Sequence, residues 1–277
     1  MQRAESVISP DFLRRVAAVA ARETLPRFRL PGVVANKLAG GFDPVTEADQ
    51  ETERAIRELI RAEFPTHGIL GEEFGSEPAG GDNGLVWVID PIDGTRSFIS
   101  GIPLWGTLVG LTKNGDAVAG MMAQPFIGEL FYATGNGTYY EGPHGRTRLA
   151  TSATEDLASA TLFTTTPAIF DTEQRIRYGQ LERQVRLVRY GADCYAYCML
   201  AAGQIDCVVE ASLYPYDIVA LIPIIEQAGG VVTDWEGGPA ERGGGIVAAA
   251  NVTLHAKVLA ALKIVQPPFT ISTSPQV

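Results

Sequence analysis

A chain of 277 residues, 46% hydrophobic and 19% charged, carries enough apolar material for a large core, and its 30 Gly and 17 Pro indicate a turn-rich globular protein. Thirty-two acidic against 22 basic residues give a formal charge of −10, and no Lys/Arg stripe interrupts it, which argues against a nucleic-acid or anionic-membrane surface. The three cysteines, Cys194, Cys198 and Cys207, are odd in number and lack a C-x-x-C spacing, so a disulfide framework or structural zinc site is not expected, only small core residues in a reducing compartment. Charges run throughout the first twenty residues where a signal peptide needs an apolar run, and no window approaches about 18 uninterrupted apolar residues. The expectation is a cytoplasmic protein without a membrane span, in which the sequons at Asn136 and Asn251 are chance matches.

Residues 11–28 place Phe12, Val16, Val19 and Ala20 at helical spacing behind the start signal Ser9-Pro10-Asp11. A Gly/Pro-broken stretch, "RLPGVVANKLAGGFDP", reads as extended or looped. A second helix starts at Thr46, with the capping-box spacing Thr46 to Asp49 and Ile56, Leu59, Ile60 and Phe64 on one face, and is ended by Pro65. "GILGEE" and "LVWVIDP" are short apolar runs ending in carboxylates, as buried strands with acidic C-terminal ends would. "WGTLVGLTKNGDAVAGMMAQP" predicts two strands around a turn at 113–116, continued by "ELFYATGNGTYYEG", so the first half reads as helices on an antiparallel sheet. From Ala160 strands alternate with helices, among them one helix over 193–203 and one over 217–229, which predicts an α/β layer with partly parallel strands. A boundary near 150–160 follows, with residues 1–155 as an α+β part and 156–277 as an α/β part of one compact unit, and a loose tail.

The informative acidic residues end apolar strands or open helices: Asp49, Glu72, Glu73, Asp90, Asp93, Glu210 and Asp217. Asp90 follows Val86-Trp87-Val88-Ile89 and must lie at the mouth of a buried sheet, where a charge is costly unless paired or metal-bound. Pro91 stiffens the turn and Gly94 reverses the chain, so Asp90 and Asp93 can converge, and oxygen ligands without His or Cys favour Mg²⁺ or Mn²⁺ over Zn²⁺. Gly94-Thr95 opens a short helix whose free N–H groups suit an anion. A capped turn with an Asx hydrogen bond is the alternative reading of D-x-x-D-G-T taken alone. The histidines, His67, His144 and His255, are scattered beside turns and receive no ligand role.

In order along the chain, "GFDPVTEADQ", "GILGEE", "WVIDPIDGT" and "PYDIVALIPIIEQAGG" resemble the inositol monophosphatase family of metal-dependent phosphatases, from about residue 12 to 265. The resemblance implies a mixed α+β / α/β fold, the layered αβαβα sandwich of the inositol monophosphatase / fructose-1,6-bisphosphatase type. It implies metal ligation of two or three Mg²⁺ ions by Glu72, Asp90, the Ile92 carbonyl, Asp93 and Asp217, with Glu73 in support. Asp49 and Thr95 match the pair that orients the attacking water, and Gly94 and Thr95 the backbone donors to phosphate. In-line attack by water without a phosphoenzyme follows. A homodimer and sensitivity to Li⁺ are implied as well, with a small-molecule phosphate ester as partner.

After D-G-T, "RSFISGIPLWGTLVGL" and "YGADCYAYCMLAAGQIDCVVEASLYPYDIVALIPIIEQAGG" resemble the histidinol-phosphatase branch of that family. Histidinol carries an ammonium and an imidazole, and Asp193 with Glu210 would supply two acceptors; an N-cap role at the start of helix 193–202 is the other reading of Asp193. Arg96 either touches substrate, caps a loop, reaches a partner subunit or forms a surface salt bridge. Trp105 and Tyr195 are candidates to stack on the imidazole or are core, and Lys37 falls near a lysine of the family's active-site loop. The readings that remain are a histidinol-phosphate phosphatase of histidine biosynthesis, the same chemistry on myo-inositol 1-phosphate, a sugar phosphate or a nucleotide 3′-phosphate, and a catalytically silent metal- or phosphate-binding regulator.

Overall fold

A computed structural model describes residues 8–30, 34–36, 44–81 and 84–263; Lys37 and the C-terminal tail lie outside them. Helix α1 (Pro10–Thr24) is capped by Ser9, whose hydroxyl accepts from the Asp11 N–H. It stops short of the predicted residue 28 because Pro26 has no N–H to return to the ladder, and Arg27 and Phe28 bond to the Thr24 carbonyl in a closing turn instead. A two-stranded ribbon, β1 (Val34–Asn36) and β2 (Pro44–Thr46), leads into α2 (Glu47–Glu63). The predicted capping box is present: Thr46 Oγ1 accepts from Ala48 N at 3.1 Å, and Asp49 Oδ2 accepts from Thr46 N at 2.8 Å.

The larger sheet comprises β3 (Gly68–Gly71), β4 (Gly75–Glu77), β5 (Leu85–Asp93), β6 (Gly106–Lys113), β7 (Asp116–Gln124), β8 (Glu129–Ala133), β9 (Thr138–Gly142) and β10 (Gly145–Arg148). Its order is β10-β9-β8-β7-β6-β5-β3-β4, antiparallel except where β3 runs parallel to β5. The short helix α3 (Thr95–Ile99) interrupts the chain between β5 and β6, and Asn114 and Gly115, both at positive φ, make the predicted turn between β6 and β7.

The smaller sheet is built from β11 (Thr161–Thr164), β12 (Leu187–Tyr190), β13 (Cys207–Leu213), β14 (Val231–Asp234) and β15 (Gly244–Ala249), in the order β12-β11-β13-β15-β14. Parallel pairing of β11 with β12 and β13, and antiparallel pairing of β15 with β13 and β14, make it the partly parallel layer that the alternation predicts. Its helices are α4 (Thr172–Glu182), α5 (Asp193–Ala201), α6 (Pro215–Ile218), α7 (Leu221–Glu226) and α8 (Val252–Lys263). The single helix predicted over 217–229 is instead two short ones, because Pro223 removes an N–H and the chain bends through Val219-Ala220.

Strand alternation sorts the core into layers. Met121 packs with α1 and α2 while Met122 packs with α5 and α7; Val208 faces α5 and α7 while Val209 faces α4 and α8. The result is α1/α2, large sheet, α5/α7, small sheet, α4/α8: the αβαβα sandwich. No helix among the described residues is long and apolar enough to cross a membrane.

Candidate active site

Residues three apart on a regular strand face opposite sides of a sheet. At the end of β5 this rule is broken: Asp90 pairs with Leu108 and Asp93 with Gly106, so three steps on β5 oppose two on β6. That bulge at Pro91-Ile92 brings both carboxylates to one side. It is pinned by Thr107 Oγ1, which donates to the Pro91 carbonyl at 2.8 Å, and by the Asx bond from Ile92 N to Asp90 Oδ1 at 3.0 Å. Asp217, in the first turn of α6, accepts from Tyr214 N at 2.7 Å. Asp90, Asp93 and Asp217 each place a carboxylate oxygen within 4.8 Å of the others.

Asp90 is 2% exposed, and burial followed by the charges of Glu72, Asp93 and Asp217 pushes its pKa far up. Burial and the charges of Asp193 and Asp217 do the same to Asp93. Carboxylates that raise one another's pKa could hold a cation between them, and an all-oxygen donor set suits a hard one. Among the described residues Glu72 is not in the three-carboxylate set, but its turn is tied to β5 by its own N–H, which donates to Ile89 O at 3.1 Å. Buried Asp49 is raised to about 6, chiefly by burial, with the Thr46 hydrogen bonds opposing and Glu72 reinforcing the shift.

The chain reverses at Gly94, whose φ of 80° is costly for a side-chain residue and whose missing Cβ leaves room for Asp193. Thr95 Oγ1 donates to the Ile92 carbonyl at 3.1 Å. Asp193 is the first residue of α5, with Ala192 rather than Asp193 as the N-cap, and its Oδ2 accepts from Ser97 Oγ of α3 at 2.9 Å. Gly191, Ala192 and Asp193 all have positive φ, a strained entrance that aims this carboxylate inward. Glu210, 3% exposed on β13, accepts from Thr165 N at 2.6 Å and is raised to about 7, burial outweighing the Thr164 and Thr165 hydrogen bonds. Asp93, Asp193, Glu210 and Asp217 share one cavity of about 230 Å³. Arg96 is exposed and does not line the cavity, but its charge acts on Asp193 to lower the pKa that burial raises.

Trp105 and Tyr195 do not line that cavity. Trp105 is fully buried among Phe28 and Phe98, and Tyr195 spends its hydroxyl on Glu129 at 2.6 Å. His67 accepts from Trp87 Nε1 at 3.1 Å, and His255 pairs with Thr233 at 2.8 Å, both away from the carboxylates. The cysteines are buried and free, and burial pushes each thiol up. Sequence reasoning missed Glu53 and Arg57, an i,i+4 pair on α2 that is 0% and 4% exposed. Glu53 accepts from the backbone of Glu73 at 2.7 Å and Phe74 at 3.2 Å, so it holds the turn that carries Glu72. The available signal was a Glu four residues before an Arg and four after Asp49 on the helix.

The profile of the inositol monophosphatase family matches residues 10–266. The bifunctional phosphatase IMPL2, chloroplastic, of Arabidopsis thaliana is 42% identical over 71% of this chain and 56% of its own length, so the match spans little more than half of that relative. A histidinol-phosphatase of Chlorobaculum parvum is 38% identical over 79% of this chain and 83% of that protein. Among solved structures, an inositol monophosphatase from Zymomonas mobilis superposes with a TM-score of 0.80 at 35% identity, covering 92% of this chain and 97% of that one.

Proposed function

The chain belongs to the inositol monophosphatase family, a family of phosphatases, and from that premise we propose that it hydrolyses histidinol phosphate to histidinol and phosphate by direct attack of water. The observation that carries this reading is the pair of acceptors, half-buried Asp193 and buried Glu210, in the cavity next to Asp93 and Asp217. Two carboxylates beyond those of the metal set suit a leaving group that brings its own positive charge; a polyol brings none.

Glu72, Asp90, the Ile92 carbonyl, Asp93 and Asp217 would hold two or three Mg²⁺ ions, with Mn²⁺ as a substitute, and the all-oxygen character of the Asp90, Asp93 and Asp217 cluster fits them. When bound, such ions supply a water of lowered pKa and offset the charge of the phosphoryl group. Asp49 and Thr95 orient the attacking water and take its proton, while the backbone N–H groups of Gly94 and Thr95 hold the phosphate. Asp193 and Glu210 accept from the ammonium of the leaving group, and Arg96 contacts the substrate from α3. In this reading residues 1–155 carry most of the metal site, and residues 156–277 complete it with Asp193, Glu210 and Asp217. The assembly is a homodimer acting in histidine biosynthesis in a reducing, cytoplasmic setting, with neither nucleic acid nor membrane as a partner.

The test is a side-by-side measurement of kcat/KM on histidinol phosphate and myo-inositol 1-phosphate, in the parent and in Asp193→Asn, which keeps an acceptor for Ser97 but removes the charge. The parent is expected to prefer histidinol phosphate, and the variant to lose about tenfold or more of that preference. A preference for the inositol ester that survives the substitution rejects the assignment.

A further inference from the structure

We infer that Ser97 is a positioning residue for the choice of leaving group: its hydroxyl pins Asp193 against the Gly94 turn, where the carboxylate meets a cation carried close to the ester oxygen. The substrate class this selects is the phosphate ester of a 2-amino alcohol, and the step rests on the cationic leaving group proposed above. Ser97 is the third residue of α3 and is half-buried. Its Oγ donates to Asp193 Oδ2 at 2.9 Å, across 96 residues of chain. A hydrogen bond to a charged acceptor is among the stronger kinds and fixes direction as well as distance.

That bond is one half of a clamp. The next residue of α5, Cys194, donates its N–H to Asp93 Oδ2 at 2.7 Å, so two consecutive residues hold the chain on both sides of Gly94, at Asp93 before it and at Ser97 after it. Gly94 makes the room: a Cβ there would stand 3.0 Å from Asp193 Oδ2, the same oxygen that Ser97 holds. The carboxylate therefore lies against the turn to which the phosphate is assigned, and it lines the cavity. A cation on the second carbon from the ester oxygen is the one within its reach when the phosphate sits on that turn. Burial raises the pKa of Asp193, and of the groups that oppose burial the Ser97 hydroxyl is the strongest, ahead of the Arg96 charge and the Thr165 hydroxyl. Glu210 is held from another element, by Thr164 Oγ1 at 3.3 Å and Thr165 N at 2.6 Å on the β11 side, so the two acceptors can be disturbed one at a time.

The test uses the Mg²⁺-loaded protein and two esters of one skeleton, 2-aminoethyl phosphate and propyl phosphate, so that the ratio of their kcat/KM values reads the ammonium alone. The parent is expected to prefer the ammonium ester, and Ser97→Ala to lose about tenfold of that preference. Ser97→Cys, which fills the place but donates weakly, should lose about as much, and it guards against a variant that fails only because of a cavity. In an Asp193→Ala background either substitution should change the preference by about twofold at most, since the bond is already gone. A purely structural role for Ser97 would lower both esters together and leave the ratio where it was. A parent without the preference, a Ser97→Ala protein that keeps it, or an undiminished loss in the Asp193→Ala background would overturn the inference. A parent that prefers the ammonium ester yet fails to hydrolyse histidinol phosphate overturns the proposed function instead, and the same variants still decide the role of Ser97.

Discussion

Asp90 is held at 2% exposure with the charges of Glu72, Asp93 and Asp217 turned on it, an arrangement that works against folding until a cation neutralises it. Asp90→Asn keeps the oxygen that accepts from Ile92 N and removes one of those charges. Without metal the variant should therefore be more stable than the parent, by about 1 kcal/mol or more. The parent should gain about 3 kcal/mol from Mg²⁺ at a hundredfold excess over its Kd, and the variant should lose most of that gain. Denaturant melts with Mg²⁺ and with EDTA read both; a metal-free variant less stable than the metal-free parent would contradict this account. Asp90 and Asp93 were legible in the sequence because four apolar residues ending in an acid have few other meanings. Which aromatic faces the cavity was not, since an aromatic in an apolar helix looks the same whichever layer it packs into, and only the facing sheets decide. The candidate stacking role of Trp105 and Tyr195 failed for the same reason: an aromatic announces burial but not which layer it is buried in.

At the scale of elements, α2 does more than cover the sheet. Its first turn is closed by Thr46 and Asp49, and one turn further on Glu53 reaches across to the turn after β3. Gly71 is part of the same device, since a Cβ there would overlap the Glu53 carboxylate. Arg57 is the counter-charge, donating to Glu53 at 2.7 Å and to the Gly75 carbonyl at 2.5 Å. Arg57→Met would strand a buried carboxylate and is expected to cost about 3 kcal/mol of stability, with much of it recovered when Glu53→Gln is added. Glu53→Ala, which removes the acceptor of Glu73 N and Phe74 N, should bind Mg²⁺ more weakly by calorimetry, because the turn bearing Glu72 loses its anchor; unchanged affinity would separate Glu53 from the site. The ends of α2 were readable from its cap and from Pro65. Strands β4 and β10 were not, because Gly-Ser-Glu and Gly-Arg-Thr-Arg have no apolar alternation and owe their pairing to a neighbour. The break between α6 and α7 was written in Pro223, yet the apolar run around it reads as one helix until the sheet beneath is known.

At the scale of the molecule, the first and second halves of the chain come close where two glycines face each other. Gly110 on β6 and Gly120 on β7 are cross-strand partners, and the bend at Val219-Ala220 rests on them. A Cβ on Gly110 would stand 2.8 Å from Val219 Cγ1 and 2.9 Å from Ala220 N, and one on Gly120 2.8 Å from the Ala220 carbonyl carbon. Glycine inside a strand signals close approach of another backbone, but the sequence does not say whose. Here it is the segment that begins two residues after Asp217, so the flat patch on the large sheet sets how deep that carboxylate sits beside Asp90 and Asp93. Gly120→Ala must push the bend outward and Asp217 with it. A displacement near 1 Å at a reacting centre costs about a hundredfold in rate, and overpacking costs about 2 kcal/mol in stability. Gly115→Ala is the matched control: it lies in the turn between the same strands, with nothing within 4 Å of its Cβ and a φ of 98°. It should lose about 1 kcal/mol to backbone strain and keep kcat. If Gly120→Ala also loses stability alone, with kcat and Mg²⁺ affinity intact, the glycine pair is packing and nothing more. If kcat and Mg²⁺ affinity fall together, the position of Asp217 is fixed by the sheet face on which the bend rests.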